Sequence, residues 1–144
     1  MKRNKQNWKD EFPIEEEIED YAGGMRQFLI SCREGPLGYT LCAQEQGTEG
    51  PGYEFAAFSE ISPHSALFQL RKKMDRGLAT RHITRTDHGY SMMHDKLTGR
   101  IISHANGGAA IVVDGIPLSM DALAHILISH EGWSFDLTIT DSLE

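Results

Sequence analysis

The strongest constraint on this chain lies near its end, where Trp133, Phe135, Leu137 and Ile139 alternate with Ser134, Asp136, Thr138 and Thr140. A period of two gives an extended strand one dry face and one wet face. Strands of that kind belong by preference to antiparallel sheets packed on one side. The residues before it specify how the chain arrives there. Ser119 is placed to cap a helix running to about His130, its hydroxyl accepting from free N–H groups of the first turn, where Asp121 also suits the helix dipole. Leu123, Ile126, Leu127 and His130 fall on one face of that helix. Gly132 stands where a left-handed stop residue turns the chain into Trp133. Upstream, Ile111, Val112 and Val113 run into Asp114-Gly115, a two-residue turn that asks for positive φ at both positions. Ile116 and Leu118 begin the return strand.

The succession Gly99-Arg100-Ile101, Val113-Asp114-Gly115 and Glu131-Gly132-Trp133-Ser134-Phe135-Asp136-Leu137-Thr138-Ile139 resembles the C-terminal end of an uncharacterised bacterial domain family. That family runs from a G-R-I strand through an I-D-G turn and a short helix to an ending close to E-G-W-x-F-x-L-x-I. The resemblance covers the last third of the chain, and more loosely the segment from Tyr53. At the helix start the family carries an aromatic or acidic residue where this chain has Met120 and Asp121. The resemblance implies a fold unit and supplies no activity and no active site.

At 144 residues the chain suits one domain, long enough to bury roughly two-thirds of its unfolded surface. With 40% hydrophobic and 24% charged residues it is ordinary globular material. No apolar run approaches the ~20 residues of a membrane helix. Met1-Lys2-Arg3 leads into polar Asn4 to Asn7 rather than a signal-peptide core, so a cytoplasmic location without a membrane partner is expected. A net charge of -7 and a pI near 5.4 argue against general affinity for nucleic acid, which rests on accumulated Lys and Arg.

The distribution of charge is more telling than its sum. Residues 1–24 open with Lys2, Arg3, Lys5 and Lys9 and then turn acidic through Asp10, Glu11, Glu15, Glu16, Glu17, Glu19 and Asp20. Ile14, Ile18 and Tyr21 have helical spacing, which suggests a short helix after Pro13 in an otherwise solvated arm. A second helix, capped by Ser62 and opened by Pro63, runs to about Arg76 with Leu67, Leu70 and Met74 inward and Gly77 at its end. Its other face carries Arg71, Lys72, Lys73 and Arg76, with Arg81, His82 and Arg85 beyond. This cluster reads as a solvated helix face, a docking surface for an acidic protein or for the chain's own arm, or a phosphate or nucleic-acid site. The last is disfavoured for single strands, because no aromatic residues are interleaved to stack bases.

Met25 to Gln46 reads as a hairpin about Gly35-Pro36-Leu37-Gly38. A three-residue loop with Gly38 left-handed sets Gly35 against Tyr39 and places Cys32 opposite Cys42 as a non-hydrogen-bonded pair. A disulfide is then sterically accessible, although a reducing cytosol favours free thiols. Tyr53 to Phe58, Thr80 to Thr86 and Leu97 to His104 read as further strands. The glycine loop from Gly47 to Gly52 lacks the Lys and the helix of a phosphate loop.

No constellation declares an enzyme. His125 and His130 are five apart and diverge around a helix, so they do not share a zinc ion. His88 and His94, with Asp87, Asp95 and His104, remain as a loop-based metal alternative. No Ser or Cys has a recognised nucleophile setting. At the helix-strand corner, Trp133 reads first as a core plug. The alternative is a rim site made by His130, Glu131 and Trp133.

The expectation is an α+β protein with a mainly antiparallel sheet, two helices packed on one face, and a semi-detached arm over 1–24 preceding one domain over 25–144. The favoured function is a small cytoplasmic, non-enzymatic binding or accessory protein that engages another protein. Its candidate residues are Arg71, Lys72, Lys73, Arg76, Arg81, His130, Glu131 and Trp133, with no cofactor and no metal. A metal-dependent or acid-base enzyme, and a phosphate or nucleic-acid binder, are the competing readings. Exposed sheet edges make a homodimer reasonable.

Overall fold

In the computed structural model, which describes residues 7–104 and 106–143, the chain is α+β and mostly antiparallel sheet. A one-turn helix α1 (Trp8–Glu11) precedes the strands β1 (Ile14–Glu19), β2 (Met25–Gly35), β3 (Gly38–Glu45) and β4 (Glu54–Ser59), and then helix α2 (Pro63–Ala79). The four strands form a meander in the order β1-β2-β3-β4. Alternation puts Phe28, Ile30, Leu41, Ala43 and Ala57 on one face. There they pack against Ala66, Leu67, Leu70, Met74 and Leu78 of α2, all nearly or wholly buried. The Ser62 hydroxyl caps this helix by accepting from the Ser65 N–H at 3.0 Å.

The segment after Pro13 is a strand rather than a helix. A spacing of four is an even number, so Ile14 and Ile18 share a face in a strand as well as in a helix, and the free edge of β2 decides between them. Ile14 pairs with Ile30 and Ile18 with Arg26, which lays both isoleucines on the α2 side.

Helix α2 continues past Gly77 to Ala79. The glycine is there for close approach, because a Cβ at this position would lie 2.5 Å from Phe55 Cε1. Phe55 in turn stacks on Tyr53 with ring centroids 5.8 Å apart and contacts Phe28, so it has little room to yield. Gly77→Ala is therefore expected to cost about 1–2 kcal/mol through overpacking, despite alanine's better helix propensity. Urea denaturation of the variant checks the sign; a stabilised protein would show that Phe55 moves freely.

The hairpin β2-β3 closes with Gly35 paired to Gly38 across a two-residue loop. This differs from the three-residue loop expected, and the difference of one residue shifts every pair. Cys32 faces Leu41 and Cys42 faces Ser31, so the two thiols project to opposite faces and no disulfide joins them. Burial, with Glu34 near Cys32 and Glu54 near Cys42, pushes both thiols upward in pKa.

The second half begins with the hairpin β5 (Ile83–Thr86) and β6 (Gly89–Met92). A three-stranded meander β7 (Arg100–Ser103), β8 (Ala109–Val113) and β9 (Ile116–Ser119) follows, and then helix α3 (Met120–Ile128). The Asp114-Gly115 turn has φ of 53° and 74°, as its sequence requires. Ser119 caps α3 by accepting from Ala122 N–H at 3.1 Å. Ile83, Val113, Leu118 and Ile126 form a core of their own, so buried apolar residues gather in two clusters, one before Ala79 and one after His82. Helix α2 serves the first and α3 the second, where it packs against β6, β9 and β8.

After α3 and a turn, the Trp133 N–H donates to the His130 carbonyl at 2.9 Å, and residues 133–140 follow without regular secondary structure. The expected closing strand pairs with no other strand among the described residues. A strand needs a neighbour's N–H and C=O groups, and here the tail is drawn instead toward α2, where the Ser142 carbonyl accepts from Lys73 Nζ at 3.1 Å.

Candidate binding surface

Among the described residues, the tail carries a run of exposed large apolar side chains. Trp133, Phe135, Leu137 and Ile139 are between 70% and 87% exposed, which overturns the reading of Trp133 as a core plug. Isolated exposed apolar residues are ordinary, but four at strand spacing form a stripe. It continues the exposed end of α3, where Leu127 and Ile128 also face outward. The rim residues do meet at this corner. The His130 ring stands edge-on to Trp133 at 5.4 Å, and its Nδ1 lies 3.2 Å from the Ile126 carbonyl oxygen, while Glu131 is exposed beside them. The imidazole thus lies between the end of the helix and the first residue of the tail.

The basic face of α2 is largely engaged by the chain itself. Arg71 grips Glu16 of β1, with Nη2 and Nε 2.7 and 3.1 Å from Oε1. Beside it His64 Nε2 lies 2.7 Å from Glu11 Oε2. Lys73 donates to the Ala56 carbonyl at 2.8 Å as well as to Ser142, and burial lowers its pKa against the opposing pull of Asp141. Lys72 lies over the Phe68 ring at 4.3 Å. Arg76 is exposed on the last turn, and its carbonyl accepts from the Thr80 hydroxyl. Arg81 does not extend the patch; it bonds the Ile83 carbonyl and Thr84 and covers the Tyr21 ring at 5.2 Å. The eight candidate residues therefore form no single site. Three of them, His130, Glu131 and Trp133, sit together at the root of the tail.

Two largely buried polar clusters have no counterpart in the sequence. Asp114 accepts from the His82 and Ile83 N–H groups at 2.7 and 2.9 Å and from His82 Nδ1 at 2.8 Å. Its D-G signature gives the turn but not the burial. Near the junction of the halves, Arg26 bridges Asp20 and Glu45 at 2.9 and 3.0 Å and lies over the Tyr53 ring. Tyr53 packs so closely on Gly115 that a Cβ there would lie 2.6 Å from its ring. Arg100 of β7 bonds Glu54 and the Gly52 carbonyl, a further tie between the halves. The Asp114 cluster lies within the second half of the chain and the Arg26 cluster within the first. Among the described residues, no group of three or more His, Cys, Asp or Glu is placed to hold a metal ion. No helix among them is long and apolar enough to cross a membrane.

The α+β halves match two family models, each described as a domain of unknown function. Domain of unknown function (DUF7686) matches residues 10–79, and Domain of unknown function (DUF7713) matches residues 82–144. The break between the two matches falls between Ala79 and His82, where the two buried clusters also divide. The residues that resemble an uncharacterised domain in sequence lie inside the second match. No curated protein and no solved structure matches the chain.

Proposed function

We propose that this chain is a small cytoplasmic, non-enzymatic binding protein that engages another polypeptide through its C-terminal tail. The observation that carries the reading is the unpaired strand pattern of residues 133–139, with its apolar side chains in solvent. Strand addition suits such a segment, since main-chain hydrogen bonds supply affinity and alternate side chains supply specificity. Charge polarisation supports the reading less than it does from sequence alone, because Glu16 already neutralises Arg71.

Leu137→Asp tests it. The side chain is exposed, so the variant is expected to melt within about 0.5 kcal/mol of the parent. Its partner affinity is expected to fall at least about 30-fold, the loss typical of a central apolar anchor. Native mass spectrometry of untagged protein, isolated gently from its own cytosol without chelator, checks this. The parent should carry a polypeptide that the variant lacks. A stoichiometric metal or small molecule on both forms, with no polypeptide, would overturn the reading.

A further inference from the structure

The tail has a receiver within the same sequence. Strand β7 is an edge of the meander β7-β8-β9 among the described residues, so its outer N–H and C=O groups face away from the sheet. Its side chains prepare it further. Ile101 lies directly opposite Ile111, which lies opposite Leu118, so all three share the face that α3 covers over β8 and β9. Leu118 is buried there, yet Ile101 remains 60% exposed. The apolar face therefore stops one strand short. A strand added beside β7 with apolar residues at every second position would continue this face and cover Ile101. Trp133 to Ile139 carries that alternation in its sequence.

We propose that the partner is a second copy of this chain, each copy laying its tail along the β7 edge of the other. This rests on the reading of the tail as a binding strand and names its occupant. The chain's own tail is held elsewhere, its end bound through Ser142 to Lys73 of α2. Charge does not oppose the exchange: Lys96 and Asp95 balance beside β7, and Arg100 of the strand is already paired with Glu54. Area favours it. The four tail side chains offer on the order of 600 Å² of apolar surface per copy. Two reciprocal junctions, with the faces that receive them, reach the roughly 1,600 Å² of a standard stable interface. The arrangement closes with two-fold symmetry and leaves no tail unpaired.

Light scattering after size exclusion, on the full chain from about 1 to 100 µM, tests the proposal with the tail variant Phe135→Asp and the edge variant Ile101→Asp. A dimer is expected for the parent, with dissociation raised at least about 30-fold in either variant. Both substituted side chains are exposed in one copy, and circular dichroism on dilute samples verifies that each variant is folded. The diagnostic result is complementation. An equimolar mixture of the two variants keeps one intact junction, from the tail of Ile101→Asp to the edge of Phe135→Asp, and should form a heterodimer where neither alone associates.

A dimer abolished by Phe135→Asp but untouched by Ile101→Asp would mean tail-to-tail pairing and overturn the edge assignment. A monomeric parent whose tail exchanges its amide hydrogens freely, and which co-isolates a different polypeptide, would overturn the second copy while leaving the tail as a binding strand. A monomer with residues 133–140 protected from exchange would mean closure within one chain and overturn both.

Discussion

Replacing Asp114 by alanine will cost about 3–5 kcal/mol and release the C-terminal core, because it strands the buried Ile83 N–H and two part-buried donors of His82 at once. The carboxylate is 1% exposed and accepts from two successive backbone N–H groups and one imidazole. Ile83, one of those donors, is itself buried in the second core, so its N–H has no route to water once the acceptor is gone. Alanine also tolerates φ of 53° poorly, which adds roughly 1 kcal/mol. Asp114→Asn separates the two contributions. It keeps a side chain that accepts the left-handed backbone but turns an amide into a pocket of donors, and should fall between parent and alanine. Hydrogen exchange gives the readout: protection lost across 83–126 with protection kept across 28–78. A cost below about 1 kcal/mol would mean that the donors find other acceptors.

That joint shows where sequence stops informing. Asp114-Gly115 announces its turn because positive φ is a local demand that few residues meet. Nothing local says that the Asp side chain will be met by donors some thirty residues earlier in the chain. The caps at Ser62 and Ser119 are legible for the same local reason. By contrast, Ile14 and Ile18 are four apart, a spacing shared by both regular structures, and the edge of a distant strand settles the matter. The cysteines show how little separates two answers: one residue more or less in the loop at Pro36-Leu37 decides whether they face each other or point apart. The tail is legible as a strand with a dry face, but alternation does not say which chain supplies the other side. Among the candidate residues, Arg81 and Arg71 look like surface charge in sequence, and only the fold shows them occupied by Tyr21 and Glu16.

Arg26→Ala will have the second large effect, about 3 kcal/mol at pH 7, and its dependence on pH identifies the cause. The guanidinium lies between two carboxylates whose side chains are only 6% and 5% exposed, Asp20 and Glu45, and it covers the face of Tyr53. Burial pushes the Asp20 carboxyl upward in pKa. Hydrogen bonds from Arg26 and from the Ala22 and Gly24 N–H groups, together with the Arg26 charge, outweigh it and hold the group below its usual value. A depressed folded pKa contributes stability that is present above the unfolded pKa, about 3.9, and is lost as pH falls through the folded value. Without Arg26 the two backbone donors alone oppose burial, so most of that contribution is absent from the variant at every pH. The gap between parent and variant should therefore be widest near neutrality and narrow steadily below about pH 4, as the parent loses what the variant never had. Urea denaturation at a series of pH values from 7 to 3 measures the gap directly. A gap that stays constant with pH would assign the loss to packing over Tyr53 alone and remove the ionic cluster from the account of what stabilises the first half.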